Sequence, residues 1–125
     1  MSEVGVAGSR AIKNRGLVAE AIDEAPFNPS LIIHTDTDGV GTAAGMYAAI
    51  EGIDTQVVQS QHHRYPQKLA PVKRKNTIVE ESQKLIIIWE GESTSTRSAM
   101  DTAKRTGMRE TESYEKHGLE VYYYE

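Results

Sequence analysis

Apolar residues along this chain come in short bursts, and the bursts alternate between two spacings. Residues 4–7 form a continuous run ending in Gly8, which reads as a strand. Leu17, Val18, Ala21, Ile22 and Ala25 then recur at helical spacing, with Asn14 placed as an N-cap. Pro26 and Pro29 break the chain before Leu31, Ile32 and Ile33, a compact apolar strand. From 40 to 50 the alanines, Met46 and Tyr47 predict a helix packed closely on a sheet and ended by Gly52. Val57 and Val58 mark a third strand, followed by a polar, basic loop to about Asn76 and a short helix through Ile78 and Val79. Residues 85–89, Leu-Ile-Ile-Ile-Trp, are the strongest strand signal. A helix over 95–106 turns Ala99, Met100 and Ala103 inward, and residues 121–124 close the chain as a strand.

Strands that are apolar throughout, and not merely at alternate positions, are covered on both faces. Interleaving them with helices gives βαβ units and a mostly parallel sheet. The expected fold is therefore α/β, a Rossmann-like three-layer αβα domain with a sheet of about five strands. In such a sheet ligands sit beyond the carboxyl ends of the strands. The residues there are Gly8-Ser9-Arg10, then 34–42, then Gln61 and His62, then 91–96. The opposite loops, around 26–30 and at Gln83-Lys84, read as ordinary turns.

A chain of 125 residues is expected to be one domain, spanning 1–125. It has no apolar stretch long enough for a bilayer, and its first twenty residues carry Glu3, Arg10, Lys13 and Arg15 with no apolar signal core. With no cysteine, disulfides and thiolate chemistry are excluded and a cytoplasmic location is the default expectation. The net charge of −4 is unevenly distributed. No acidic residue lies between Asp54 and Glu80, where Arg64, Lys68, Lys73, Arg74 and Lys75 join His62 and His63. A local basic patch on an acidic chain suits a compact anion better than a long nucleic acid.

Gly8-Ser9-Arg10 offers backbone access, a hydroxyl and a guanidinium fork for phosphate, or is a plain turn with a surface arginine. Gly91-Glu92-Ser93-Thr94-Ser95-Thr96 opens a helix with free amides and hydroxyls, a cradle for phosphate or carboxylate, although one serine is expected to act only as the N-cap. His34-Thr35-Asp36-Thr37-Asp38-Gly39 reads in two ways. Asp36 and Asp38 beside His34 can hold a divalent cation, Mg or Mn, or they are acidic caps on a glycine turn. Trp89 at a strand end is either core or a flat wall against a base. Tyr122, Tyr123 and Tyr124 either mark a homodimer surface or alternate into the core.

Together these residues resemble the SLOG superfamily, the Rossmann-like group that includes the DNA-processing protein DprA and the LOG enzymes, and within it the small bacterial and viral members of unknown function. Residues 6–10 resemble its opening strand and Gly-Ser-Arg turn. Residues 31–53 resemble its second strand, glycine turn and alanine-rich helix. Lys75-Asn76 stands where the family usually has Arg-Asn, and Trp89, Gly91, Ser93 and Thr96 fit its Trp-x-Gly-x-Ser-x-Gly-Thr pattern. The chain departs from it at Thr35-Asp36 (a glycine pair in the family), at Gly41 (an aspartate) and at Ser95 (a glycine). Polar sequence at 109–117 is additional to the pattern, and the catalytic glutamate motif of the LOG enzymes is missing.

The resemblance implies binding or sensing of a nucleotide or nucleotide-derived small molecule. The expected ligand residues are Gly8, Ser9, Arg10, Thr35, Gly39, Val40, Gly41, Thr42, Asn76, Trp89, Gly91, Ser93, Ser95 and Thr96. In the sequence no nucleophile and base are obviously paired. The alternatives are a nucleoside-phosphate hydrolase that uses Asp36, Asp38 or Glu92, and, within that class, a DHH-like phosphoesterase that uses His34, Asp36 and Asp38. A third is a DprA-like DNA accessory protein, which the acidic balance disfavours.

Overall fold

A computed structural model describes residues 2–59 and 70–125. Gln61, His62, His63, Arg64 and Lys68, part of the expected basic loop, lie outside the described residues. The chain runs β1 (Ser2–Gly8), α1 (Arg15–Asp23), β2 (Pro29–Thr35), α2 (Val40–Glu51), β3 (Asp54–Val58), α3 (Ala70–Glu81), β4 (Lys84–Trp89), α4 (Thr94–Arg105), β5 (Glu110–Lys116) and β6 (Leu119–Tyr124). One sheet holds them in the order β3-β2-β1-β4-β6-β5. The first four pair in parallel, whereas β6 pairs antiparallel with both β4 and β5. The architecture is a three-layer αβα, Rossmann-like fold with a mixed, largely parallel sheet of six strands.

Alternation along each strand divides the core in two. Val4, Val6, Ile32, Ile86, Ile88 and Tyr123 point to the side where α1 and α2 supply Val18, Ala21, Ile22, Val40, Ala43 and Ala44. Ala7, Ile33, Leu85, Ile87 and Tyr124 point to the other side, against Ile78 and Val79 of α3 and Ala99 and Ala103 of α4. Small residues let α2 approach closely: a Cβ on Gly45 would stand 2.7 Å from the His34 ring. Met46, read as part of that packed face, is instead 40 % exposed. The tyrosines alternate into the two cores, with Tyr123 and Tyr124 buried and Tyr122 half-buried.

Two elements differ from the sequence reading. The stretch before Asn76 is not loop: α3 begins at Ala70, so Lys73, Arg74 and Lys75 are helical. Pro71 lies in its first turn, where a missing N–H breaks no helical hydrogen bond. The polar sequence at 109–117 contains a sixth strand, β5, whose glutamates face solvent at the sheet edge. His117 and Gly118 turn β5 into β6 with φ of 53° and 79°, a two-residue hairpin turn with both residues left-handed. No helix among the described residues is long and apolar enough to cross a membrane.

Candidate functional site

The chain leaves β1 for one face of the sheet and β4 for the other, so a crevice opens between their carboxyl ends. Ser9 sits at this point, 1 % exposed. Its amide donates to Ile88 O at 3.3 Å and its hydroxyl to Glu90 Oε1 at 2.7 Å. The same carboxylate oxygen accepts from the amides of Ser93 at 2.7 Å and Glu92 at 3.1 Å. Burial alone would raise the Glu90 carboxyl, but the hydrogen bonds from Ser9, Ser93, Glu92 and its own amide outweigh it and hold the group below the usual carboxylate range. The cradle expected to receive a ligand anion is thus bonded to the protein's own carboxylate. Sequence reasoning did not single out Glu90. The available signal was an acid directly between a buried strand and a glycine, and Gly91 has a φ of 93°.

Ser93 is the N-cap of α4, accepting from the Thr96 amide at 3.3 Å and the Thr96 hydroxyl at 2.9 Å. Ser95, two residues on, is half-buried and has its Oγ 3.3 Å from that of Ser93. Lys75 reaches this turn from α3. Its Nζ donates to Ser95 Oγ at 2.6 Å and to Thr96 Oγ1 at 3.2 Å, and the residue is 5 % exposed. Burial, joined by repulsion from Arg74 and Arg10 and opposed by Glu90, lowers its ammonium pKa to about 8. Arg74 is also buried and lowered by desolvation, with Asp36 opposing and Arg10 adding to the shift. Arg10, Arg74 and Lys75 therefore share one electrostatic neighbourhood at the strand ends, a grouping the sequence shows only in part.

The α2 end is arranged differently. The Val40 amide donates to Ser9 O at 3.4 Å, and the Thr42 amide and hydroxyl both donate to Thr37 O, at 3.0 and 2.7 Å. Thr35 and Thr37 join their hydroxyls at 2.8 Å, and a Cβ on Gly41 would lie 2.2 Å from Thr35 Oγ1. This turn packs against the first one: a Cβ on Gly39 would meet Ser9 O at 2.5 Å. Asp36 and Asp38 are exposed, while His34 is buried with Nδ1 2.8 Å from Thr35 O. Among the described residues no three His, Cys, Asp or Glu side chains gather as a metal site. A cavity of about 270 Å³, lined by Ile12, Lys13, Arg15, Asp38, Gly39 and Thr42, opens beside this turn.

The remaining residues serve the joints around the crevice. Gly8 lets β1 approach α2 and β4, since a Cβ there would sit 2.3 Å from Ile88 O. The Trp89 indole donates to Ser93 O at 3.0 Å and fixes the turn into α4. Asn76 accepts from the Thr102 hydroxyl at 3.1 Å, tying α3 to α4. The fold resembles nucleotide-binding Rossmann-like domains in general. No family model matches the chain, and no curated protein matches it significantly.

Proposed function

We propose that this protein binds a phosphate-bearing, nucleotide-like small molecule in the crevice beyond β1 and β4, in the manner its SLOG-like sequence pattern implies. One observation carries the reading: Arg10, Arg74 and Lys75 converge there, two of them buried, with Glu90 and Asp36 as opposing carboxylates. Gathering like charges away from water is costly, and a polyanion relieves that cost. Ser95 adds a half-buried hydroxyl at the same place, and the first turn of α4 favours negative charge. Because Glu90 already occupies the amides of Glu92 and Ser93, the ligand phosphate lies on the Lys75 and Arg10 side of the crevice.

Thermal unfolding against a panel of nucleotides, cyclic nucleotides and ADP-ribose derivatives tests this. A ligand at a hundred times its dissociation constant adds roughly 2.7 kcal/mol. At least one member should raise the midpoint of the wild type, and Arg10→Ala should lose the shift while keeping its own ligand-free midpoint. A panel that moves nothing overturns the reading.

A further inference from the structure

We propose that Ser95 is a nucleophile and Lys75 its general base, and that the pair takes a phosphoryl group from the anionic ligand; the inference rests on the binding reading above. The Nζ to Oγ distance of 2.6 Å is already that of a proton-transfer contact. Ser95 is free for this role because Ser93, not Ser95, caps the helix. Thr96, fully buried, gives its hydroxyl hydrogen to Ser93 and accepts from Lys75, so it orients the amine toward Ser95 as the third member of a triad orients its base. Three environments face the amine: Arg74 beside it on α3, Glu90 after β4, and Arg10 after β1. With a pKa of about 8, roughly a tenth of the lysine is neutral at pH 7. Negative charge that develops on the transferring group meets Arg10, Arg74 and the first turn of α4.

The step balances without a further reactant. Neutral Lys75 takes the Ser95 hydroxyl proton, Oγ bonds to phosphorus, and the bond from phosphorus to the leaving oxygen breaks. The ammonium then returns the proton to the departing oxygen. Water attacks the phosphoserine in a second step, giving one proton to Lys75 and releasing inorganic phosphate as Ser95 Oγ regains its hydrogen.

The intact protein is incubated with p-nitrophenyl phosphate and, separately, with ATP, and peptides are mapped by mass spectrometry while nitrophenolate release is followed. The wild type should gain one phosphoryl group on Ser95, at a rate rising about tenfold per pH unit and levelling near pH 8. Ser95→Ala should lose the label. Lys75→Arg keeps the charge but cannot deprotonate, so labelling should slow about a hundredfold or more. Label absent from Ser95 of the wild type together with no nitrophenolate release above that of Ser95→Ala across the pH range, or Lys75→Arg labelled at the wild-type rate, overturns the pair while leaving the binding reading intact. Loss of the thermal shift in the wild type itself would bring down both.

Discussion

Ser9 donates its hydroxyl to Glu90 across the seam between β1 and β4, and through that 2.7 Å bond the turn after the central strand is tied to the turn into α4. The two segments then part to opposite faces of the sheet. The hydroxyl and two main-chain amides that hold this carboxylate are what the crevice would otherwise offer to a ligand oxygen. Glu90 therefore holds the crevice together, and under the proposed function it restricts which part of the crevice remains for the anion.

Glu90→Gln should lower stability at pH 7 by about 1–2 kcal/mol, the range for removing the charge from a shared hydrogen-bonded acceptor. The folded-state pKa is depressed, so its contribution is present above the unfolded carboxyl value, about 4.3, and is lost as pH falls through the folded value. Urea titrations from pH 7 to pH 3 should show the gap between variant and wild type closing below about pH 4. A gap that stays constant would mean the carboxylate charge is not what the bonds depend on.

Lys75 has the opposite linkage. Its folded pKa of about 8 lies below the unfolded lysine value of about 10.4, so the unfolded chain binds more protons between these values and stability rises with pH there. Lys75→Met removes the buried charge and its repulsion from Arg74 and Arg10. At pH 7 it should be more stable than the wild type by about 1–3 kcal/mol, and the difference should shrink above pH 8. The same variant should lose most of the nucleotide-induced shift. Greater stability with weaker binding is the signature of a charge kept for a ligand.

The elements with strong periodicity were legible because burial on both faces leaves no polar position: residues 85–89 and 31–33 are strands, and Asn14 does cap α1, accepting from the Leu17 amide. Edge elements were not legible in the same way. In β5 only Tyr114 is apolar, since one face meets solvent and glutamates discourage edge-to-edge pairing; the glycine of the His117-Gly118 turn was the one local clue. The α3 start was hidden because Lys73, Arg74 and Lys75 read as solvated charge. The structure buries two of them, and burial of a charge is decided by partners distant in sequence. The alternation of strands and helices made the carboxyl ends of the strands legible, but not the strand order that sets β1 beside β4. Nor was the chemistry of the crevice, because Ser9 with Glu90 and Lys75 with Ser95 meet only through tertiary packing.

Gly39 should tolerate alanine far less than Gly107, although both have positive φ, 84° and 89°. At Gly107 nothing lies within 4 Å of an added Cβ, so only the backbone term of about 1 kcal/mol applies. At Gly39 the methyl would stand 2.5 Å from Ser9 O and 2.6 Å from Arg10 O, main-chain atoms that cannot yield alone. Gly39→Ala should cost about 3 kcal/mol or more and disturb the Ser9 turn. Chemical denaturation of both variants checks it; equal costs would mean the two turns are not in close contact.

Tyr123 and Tyr124 are adjacent in sequence, buried, and opposite in what their hydroxyls do. Tyr123 Oη donates to Ala21 O on α1 at 2.5 Å, whereas Tyr124 Oη is the one buried side-chain polar atom without a hydrogen-bond partner among the described residues. Removing a hydroxyl that has a partner strands the carbonyl, at about 1–2 kcal/mol; removing one without a partner relieves a desolvation penalty. Tyr123→Phe should therefore lower the midpoint, and Tyr124→Phe should leave it unchanged or raise it. The two rings face opposite cores, so the double variant should be additive within about 0.5 kcal/mol. A loss in Tyr124→Phe as large as that in Tyr123→Phe would show that the Tyr124 hydroxyl is satisfied, by an ordered internal water.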